Sequence, residues 1–511
     1  MKISKKILFL FVLLSFIHAH STDYYVAPDG NDSANNGSIH SPLKTIIKAV
    51  SLVGPGDNIY LREGTYYPHK AIRLTQNGSS SQKIGLMGYN QEKAIIDGSQ
   101  YTVFDPDDVD NCVFRIAAGG WQLKNLEIRN AQKAPGIRVT GSSSQGLVFE
   151  NISIHGNGGT GLAIDAGAGD ILVLNCDSYK NYDAHTNGEN ADGFGAKFDV
   201  AAGIVFRGCR AWANSDDGYD CWKANERVTI KECWAYDNGF DIWGHGSSFT
   251  GNGNGFKLGQ QGGDHILIRC AAWGNRVRGF DSNGNTSGVF LYNCTAYDNP
   301  TNFAFTFGTG AHILRNCLSH EGAVRMPGQA DHQYNSWNVS VSVSNNDFLS
   351  LNDAEASGAR PADGGLPQSD FLRLATDSDL IDAGIDVGLP FSGANPDLGA
   401  FEYSDPSAVS KNEQCSAPPN NTPAHFCLGQ NYPNPFNPMT TITFELSKSG
   451  EIDLCIYNSR GELVSDVINH EYCKMGVHMR NVNLSDCPAG LYVAVLEHNS
   501  MKESIKMMLL K

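Results

Sequence analysis

A glycine followed by an aromatic or aliphatic residue returns along the middle of the chain, with a cysteine and an asparagine at fixed distances behind it. The motif stands at Thr160-Gly161-Leu162, Asp192-Gly193-Phe194, Asp217-Gly218-Tyr219, Asn254-Gly255-Phe256 and Arg278-Gly279-Phe280. Gly161 to Cys176 spans 15 residues, as do Gly218 to Cys233, Gly255 to Cys270 and Gly279 to Cys294; Gly193 to Cys209 spans 16. Five residues after each cysteine comes an asparagine: Asn181, Asn214, Asn238, Asn275 and Asn299. A period in the twenties, short β-rich runs such as Ile266-Leu267-Ile268 and Gly/Asn-rich turns predict an all-β parallel solenoid. One coil cannot bury its own apolar face, so stacked coils must share a core, with equivalent residues about 4.8 Å apart. The asparagines then form a ladder of amides and the cysteines a line of small buried groups, oriented poorly for disulfides.

The same alignment sets charges side by side. One column reads Asp192, Asp217, Asn254 and Arg278, and a second, two residues past each glycine, reads Gly195, Asp220, Lys257 and Asp281. Between them lie Phe194, Tyr219, Phe256 and Phe280. Strand alternation turns these rings inward and the charges outward. Lys257 is thus expected one coil from Asp220, with Asp216 beside Asp217. Carboxylates gathered so closely repel one another unless a cation joins them, and hard oxygen ligands in a flexible arrangement favour Ca²⁺. Two insertions, 183–191 and 239–253, enter beside these columns and are expected to wall a groove suited to a linear polymer.

A calcium ion beside a lysine suits abstraction of the proton α to a uronate carboxylate. The ion neutralises the acid group and Lys257, once neutral, takes the C5 proton. The oxygen at C4 then leaves, giving β-elimination. Asp192, Asp216, Asp217 and Asp220 are the expected metal ligands. Arg276 and Arg278 are expected to hold a further substrate carboxylate. The formal charge of −16 gives no support for nucleic-acid binding and would repel an acidic polymer in the absence of such a cation.

The 511 residues exceed one compact domain. Lys2, Lys5 and Lys6, an apolar run from Ile7 to Ile17 and small residues near Ala19 and Ser21 have the layout of a secretory signal peptide over 1–21, leaving no membrane span in the mature chain. A cap helix is expected over 42–53, covering the open end of the solenoid. Coils are expected from about Asn58 to Cys317, within a domain over 22–403. A Ser/Pro/Asn-rich linker over 404–426 leads to a small β-sandwich over 427–511. Disulfides are more plausible among Cys415, Cys427, Cys455, Cys473 and Cys487 than on the solenoid ladder.

At Asn190-Ala191-Asp192-Gly193-Phe194-Gly195, Asn214-Ser215-Asp216-Asp217-Gly218-Tyr219-Asp220 and Asn252-Gly253-Asn254-Gly255-Phe256-Lys257-Leu258-Gly259, the chain resembles the family 9 polysaccharide lyases. These are secreted pectate lyases built on a right-handed parallel β-helix. The resemblance spans about Asp23 to Glu402. It implies calcium at Asp192, Asp216, Asp217 and Asp220, Lys257 as base, and pectin or polygalacturonate as substrate for a monomeric enzyme. The end of the chain resembles the sorting domain of the type IX secretion system. The carriers are Leu428-Gly429-Gln430-Asn431-Tyr432-Pro433-Asn434-Pro435-Phe436-Asn437-Pro438, Tyr457-Asn458-Ser459-Arg460-Gly461, Ala489-Gly490-Leu491-Tyr492 and Lys506-Met507-Met508-Leu509-Leu510-Lys511. It implies that machinery as a partner, and secretion or display on the outer-membrane surface.

Two other readings stand beside this one. An inverting hydrolase resembling polygalacturonases would use Asn190-Ala191-Asp192, Asp216-Asp217 and Gly244-His245-Gly246, with room for water between two carboxyls. A non-catalytic surface adhesin would use the same groove to hold polymer without cleaving it.

Overall fold

A computed structural model describes residues 21–403 except 80, 91, 102–111, 307, 328 and 329. It also describes 427–510 except 430, 432, 433, 435, 447–449, 459, 474, 475, 499 and 500. The predicted leader, save Ser21, and the predicted linker lie outside the described residues. The chain divides into two units, one carrying the solenoid and the other the C-terminal segment.

The solenoid is a parallel β-helix with a ten-stranded and a nineteen-stranded sheet. The ten-stranded sheet takes one strand from each coil after the first, in chain order. It runs from Ile72–Leu74 through Leu162–Asp165, Phe194–Ala196, Tyr219–Asp220, Asn254–Lys257 and Arg278–Asp281 to Ala323–Arg325. The larger sheet bends within each coil. In Trp121–Arg129 and Leu147–His155 the bend is one left-handed residue, Asn125 or Asn151, at φ of +56° and +54°. In later coils a left-handed residue directly precedes the cysteine, as at Asn175, Glu232, Arg269 and Asn293. Asparagine tolerates this conformation best, which explains its frequency there.

Each motif position has a packing reason. A Cβ at Gly193, Gly218 or Gly255 would lie 2.7 Å from the carbonyl oxygen of the motif glycine in the next coil, and within 3.0 Å of a ladder asparagine Nδ2. Only glycine lets the coils close to sheet spacing at these points. The rings behind them stack through the core, with centroids 5.2 Å apart for Phe194–Tyr219, 4.7 Å for Tyr219–Phe256, 4.9 Å for Phe256–Phe280 and 5.1 Å for Phe280–Phe303. The asparagine ladder runs amide to amide: Asn181 to Asn214 at 2.9 Å, Asn214 to Asn238 at 3.0 Å, Asn238 to Asn275 at 2.9 Å and Asn275 to Asn299 at 3.0 Å. Asn157 extends it by one coil.

The ends differ from expectation. The helix covers Ile46–Val50 only, because Thr45 caps it through a hydrogen bond from Lys48 N–H while Leu43 bridges back to Val26. It still buries Ile46, Ala49 and Val50 against the first coils. Coils begin at Asp23–Val26, which pairs in parallel with Asn58–Leu61, so the first coil precedes the helix. They continue past Cys317 through Leu318–His320 and Ala323–Arg325.

The C-terminal unit is antiparallel, with a three-stranded and a four-stranded sheet enclosing one core that includes Ile442, Phe444, Leu454, Ile456, Ala494 and Leu496. Cys455, Cys473 and Cys487 are free thiols there. No helix among the described residues is long and apolar enough to cross a membrane.

The ladder makes a direct claim about stability. Asn238 accepts from the main chain and amide of Asn214 and donates to Ala211 O and Asn275 Oδ1, all buried. Asn238→Ala strands several of these partners and should cost about 3 kcal/mol in urea unfolding. A loss below about 1 kcal/mol would mean that the ladder contributes little.

Candidate active site

The register puts the charged residues where the repeat placed them. Gly195 pairs with Asp220, Asp220 with Lys257 and Lys257 with Asp281. Asp192, Asp217 and Asp220 each offer an oxygen, and the three lie within 4.8 Å of one another. All three side chains are buried. Lys257 Nζ is 3.0 Å from Asp217 Oδ2 and 3.4 Å from Asp220 Oδ2. Asp216 stands outside this trio. It is buried, and its Oδ1 accepts the N–H of Asn252 at 2.7 Å, fastening the 239–253 insertion to the site.

The two insertions meet. Thr250 donates its N–H to Asn187 O and its hydroxyl to Thr186 O, and Ser215 donates to Gly188 O. Together they stand at the N-terminal edge of the site strands. Tyr182 stacks on His245 at 4.4 Å, so the Gly244-His245-Gly246 segment packs against a loop ring. Arg276 has a local bracing contact: its Nη1 donates to Gly251 O at 2.7 Å and its guanidinium lies over Phe249. Arg278 pairs with Asp281 at 2.7 Å and is half-exposed.

One charged member of the site was not singled out in the sequence. Lys197 Nζ lies 2.6 Å from Asp192 Oδ2 and 2.8 Å from Asp220 Oδ2. Its stem passes over Gly195, where an added Cβ would fall 3.1 Å from Lys197 Cε. The available signal was strand parity: Lys197 lies two residues past the gap in the charged column, on the same face.

Burial and mutual repulsion set the electrostatics. Burial raises Asp192 to about 6, with the charges of Asp220 and Asp217 adding to the rise and Lys197 opposing it. Burial also raises Asp216 and Asp217. Asp220 moves the other way: burial would raise it, but Lys197 and Lys257 outweigh that and hold it ionised. Burial lowers Lys257, yet Asp217, Asp220, Asp216 and Asp192 outweigh burial and hold the ammonium charged. Lys197 follows the same pattern.

This donor set fits a divalent cation. With Asp192, Asp216, Asp217 and Asp220 all ionised, the carboxylates would exceed the two ammoniums by two negative charges, a state that burial opposes unless a cation joins them. Asn254 Oδ1 is buried with no hydrogen-bond donor, and Asp217 Oδ2, also buried, is met by the Lys257 ammonium at 3.0 Å. A buried oxygen without a donor is costly, and oxygen-only donors with an excess of carboxylates over ammoniums suit a hard divalent ion.

The folded value of Asp192 lies above its ordinary one, so its stabilising contribution is present below about pH 4 and lost as pH rises through 6. In chelator, wild type should therefore lose about 2–3 kcal/mol relative to Asp192→Asn between pH 4 and 7. Urea unfolding at each pH reads the difference. A gap independent of pH would contradict the burial of an ionisable Asp192.

Comparison with known proteins agrees with this geometry. Residues 24–320 match the model described as Pel9A-like, right handed beta helix region, and 430–510 match a secretion system C-terminal sorting domain. Pectate lyase L of Dickeya chrysanthemi is 39% identical over 392 residues, covering 74% of this chain and 90% of that one. Pectate lyase PEL9 of Emericella nidulans is 34% identical over 400 residues, covering 72% and 95%. The crystal structure of pectate lyase Pel9A superposes with a TM-score of 0.69 at 36% identity, over 75% of this chain and 97% of that one. A rhamnogalacturonan lyase follows at 0.64 and 28%, over 70% and 97%. The sorting domain marks the chain for type IX secretion to the cell surface or beyond. A β-helix with this register, this buried aspartate trio and these relatives is a polysaccharide lyase, and the chain belongs to the Pel9A-like right-handed β-helix family of pectate lyases.

Proposed function

We propose that the protein is a calcium-dependent pectate lyase that cleaves α-1,4-linked polygalacturonate by β-elimination, with Lys257 as the base. The observation that carries this reading is the contact of the Lys257 ammonium with Asp217 and Asp220, two members of the carboxylate trio. Asp192, Asp216, Asp217 and Asp220 would hold the ion. Bound there, calcium supplies positive charge that neutralises a uronate carboxylate and eases loss of the adjacent proton. Lys257 takes the C5 proton, the C5–H electron pair forms the C4=C5 double bond, and the C4–O pair leaves with the departing sugar. Asp217 and Asp220 hold Lys257 protonated in the metal-free protein, so Lys257 serves as base only when those carboxylates are otherwise engaged. Arg278 is assigned to a further substrate carboxylate. Arg276 supports the same strand by bracing the loop.

The crowding of the trio argues against an inverting hydrolase that would use Asp192 and Asp217 as its two carboxyls. An inverting hydrolase needs its two carboxyls roughly 6.5–9.5 Å apart to admit water, and these oxygens lie within 4.8 Å of one another. We further assign 1–21 to a signal peptide, 22–403 to the lyase domain, 404–426 to a linker and 427–511 to the sorting domain. The family-model matches at 24–320 and 430–510 support the two folded assignments.

The test follows unsaturated product from polygalacturonate at alkaline pH, with calcium and with chelator. Wild type should form product only with calcium. Lys257→Ala should lose about 10²–10⁴-fold in kcat, the range of general-base contributions. Saturated reducing ends without a double bond, or full turnover by Lys257→Ala, would refute the reading.

A further inference from the structure

Beside the site row, at the C-terminal edge of the same strands, is a second cluster. Trp222 is two residues past Asp220, and its N–H donates to Asp220 Oδ1 at 2.8 Å. Its indole is fixed on other sides. Nε1 donates to Gln260 Oε1 at 3.1 Å, the Phe198 ring meets it edge-on at 5.3 Å, and Lys223 Nζ lies 4.2 Å from the ring centroid. Main-chain bonds from Phe198 N–H to Trp222 O and from Lys223 N–H to Gly259 O tie the cluster across three coils. These are the coils that carry Asp192, Asp220 and Lys257.

Two properties of this cluster point to a ligand. Phe198 is 47% exposed although it packs against a fixed indole, which leaves an aromatic surface open to solvent beside the site. Among the described cations of the site coils, Lys197 and Lys257 are held by aspartates, Arg278 by Asp281 and Arg276 by a carbonyl. Lys223 has neither kind of partner. A chain of net charge −16 repels a polyanion, so each substrate carboxylate near the surface needs a local cation. A pyranose offers an apolar face of C–H groups to an aromatic ring and a uronate adds one carboxylate, the combination that Phe198, Trp222 and Lys223 complement.

We propose that Phe198, Trp222, Lys223 and Gln260 form a uronate-binding subsite next to the reacting sugar. The Lys223 ammonium takes the carboxylate of a neighbouring residue of the chain, and the Phe198–Trp222 surface takes its apolar face. This rests on the lyase reading above. Lys223 takes no part in the chemical step, so its contribution is to substrate affinity.

Lys223→Ala and Lys223→Arg are compared with wild type on trigalacturonate and polygalacturonate under saturating calcium, following unsaturated product. Lys223→Ala should raise KM about tenfold, equivalent to 1.4 kcal/mol, with kcat within twofold. Lys223→Arg should keep KM within about threefold of wild type. An unchanged KM in Lys223→Ala, a fall in kcat alone, or no recovery in Lys223→Arg would overturn the subsite while leaving the lyase reading intact. A wild type that forms no unsaturated product would overturn the lyase reading, and the subsite with it.

Discussion

The packing of one coil on the next at the spacing of hydrogen-bonded strands is the constraint on which everything else depends. It is enforced at two columns. The motif glycines have no room for a side chain against the next coil's carbonyl, and the asparagines bond amide to amide through the core. With register held there, a residue on one coil has one neighbour on the next. Asp220 faces Lys257 because Tyr219 faces Phe256. The site is thus a by-product of a scaffold whose regularity is secured elsewhere.

That rigidity lets the protein hold an arrangement that a softer structure would relax. Three carboxylates and two ammoniums share a buried space, and Asn254 Oδ1 has no donor. Charges so placed pull their pKa values apart: Asp192 and Asp217 rise while Asp220 falls. Desolvation alone would lower Lys257, but the carboxylates outweigh it. A cation among the aspartates has two consequences on this account. It relieves carboxylate repulsion, and it loosens the hold of Asp217 and Asp220 on the lysine proton.

Much of this was legible in the sequence, because a solenoid converts spacing into geometry. The 15-residue interval from glycine to cysteine aligned the coils, and strand parity then placed Asp220 beside Lys257. What the interval did not carry was side-chain reach. Lys197 lies outside the two columns but folds back over Gly195, and only the path of its stem brings it between Asp192 and Asp220. Arg276, expected to hold substrate, also braces the insertion, a role the interval did not carry because the partner it meets is a carbonyl of a loop with no periodicity. The cap helix was overextended because Thr45 and the Leu43 bridge are local devices that hydrophobic spacing does not register.

On the proposed reading, the aspartate cluster is a divalent-cation site distinct from the base it adjoins. Calorimetric titration of calcium into the metal-free protein tests it without requiring turnover. Wild type should bind one calcium per chain, Lys257→Ala should retain that site, and Asp217→Asn should lose it. Absence of binding by wild type, or binding unaffected by Asp217→Asn, would contradict it.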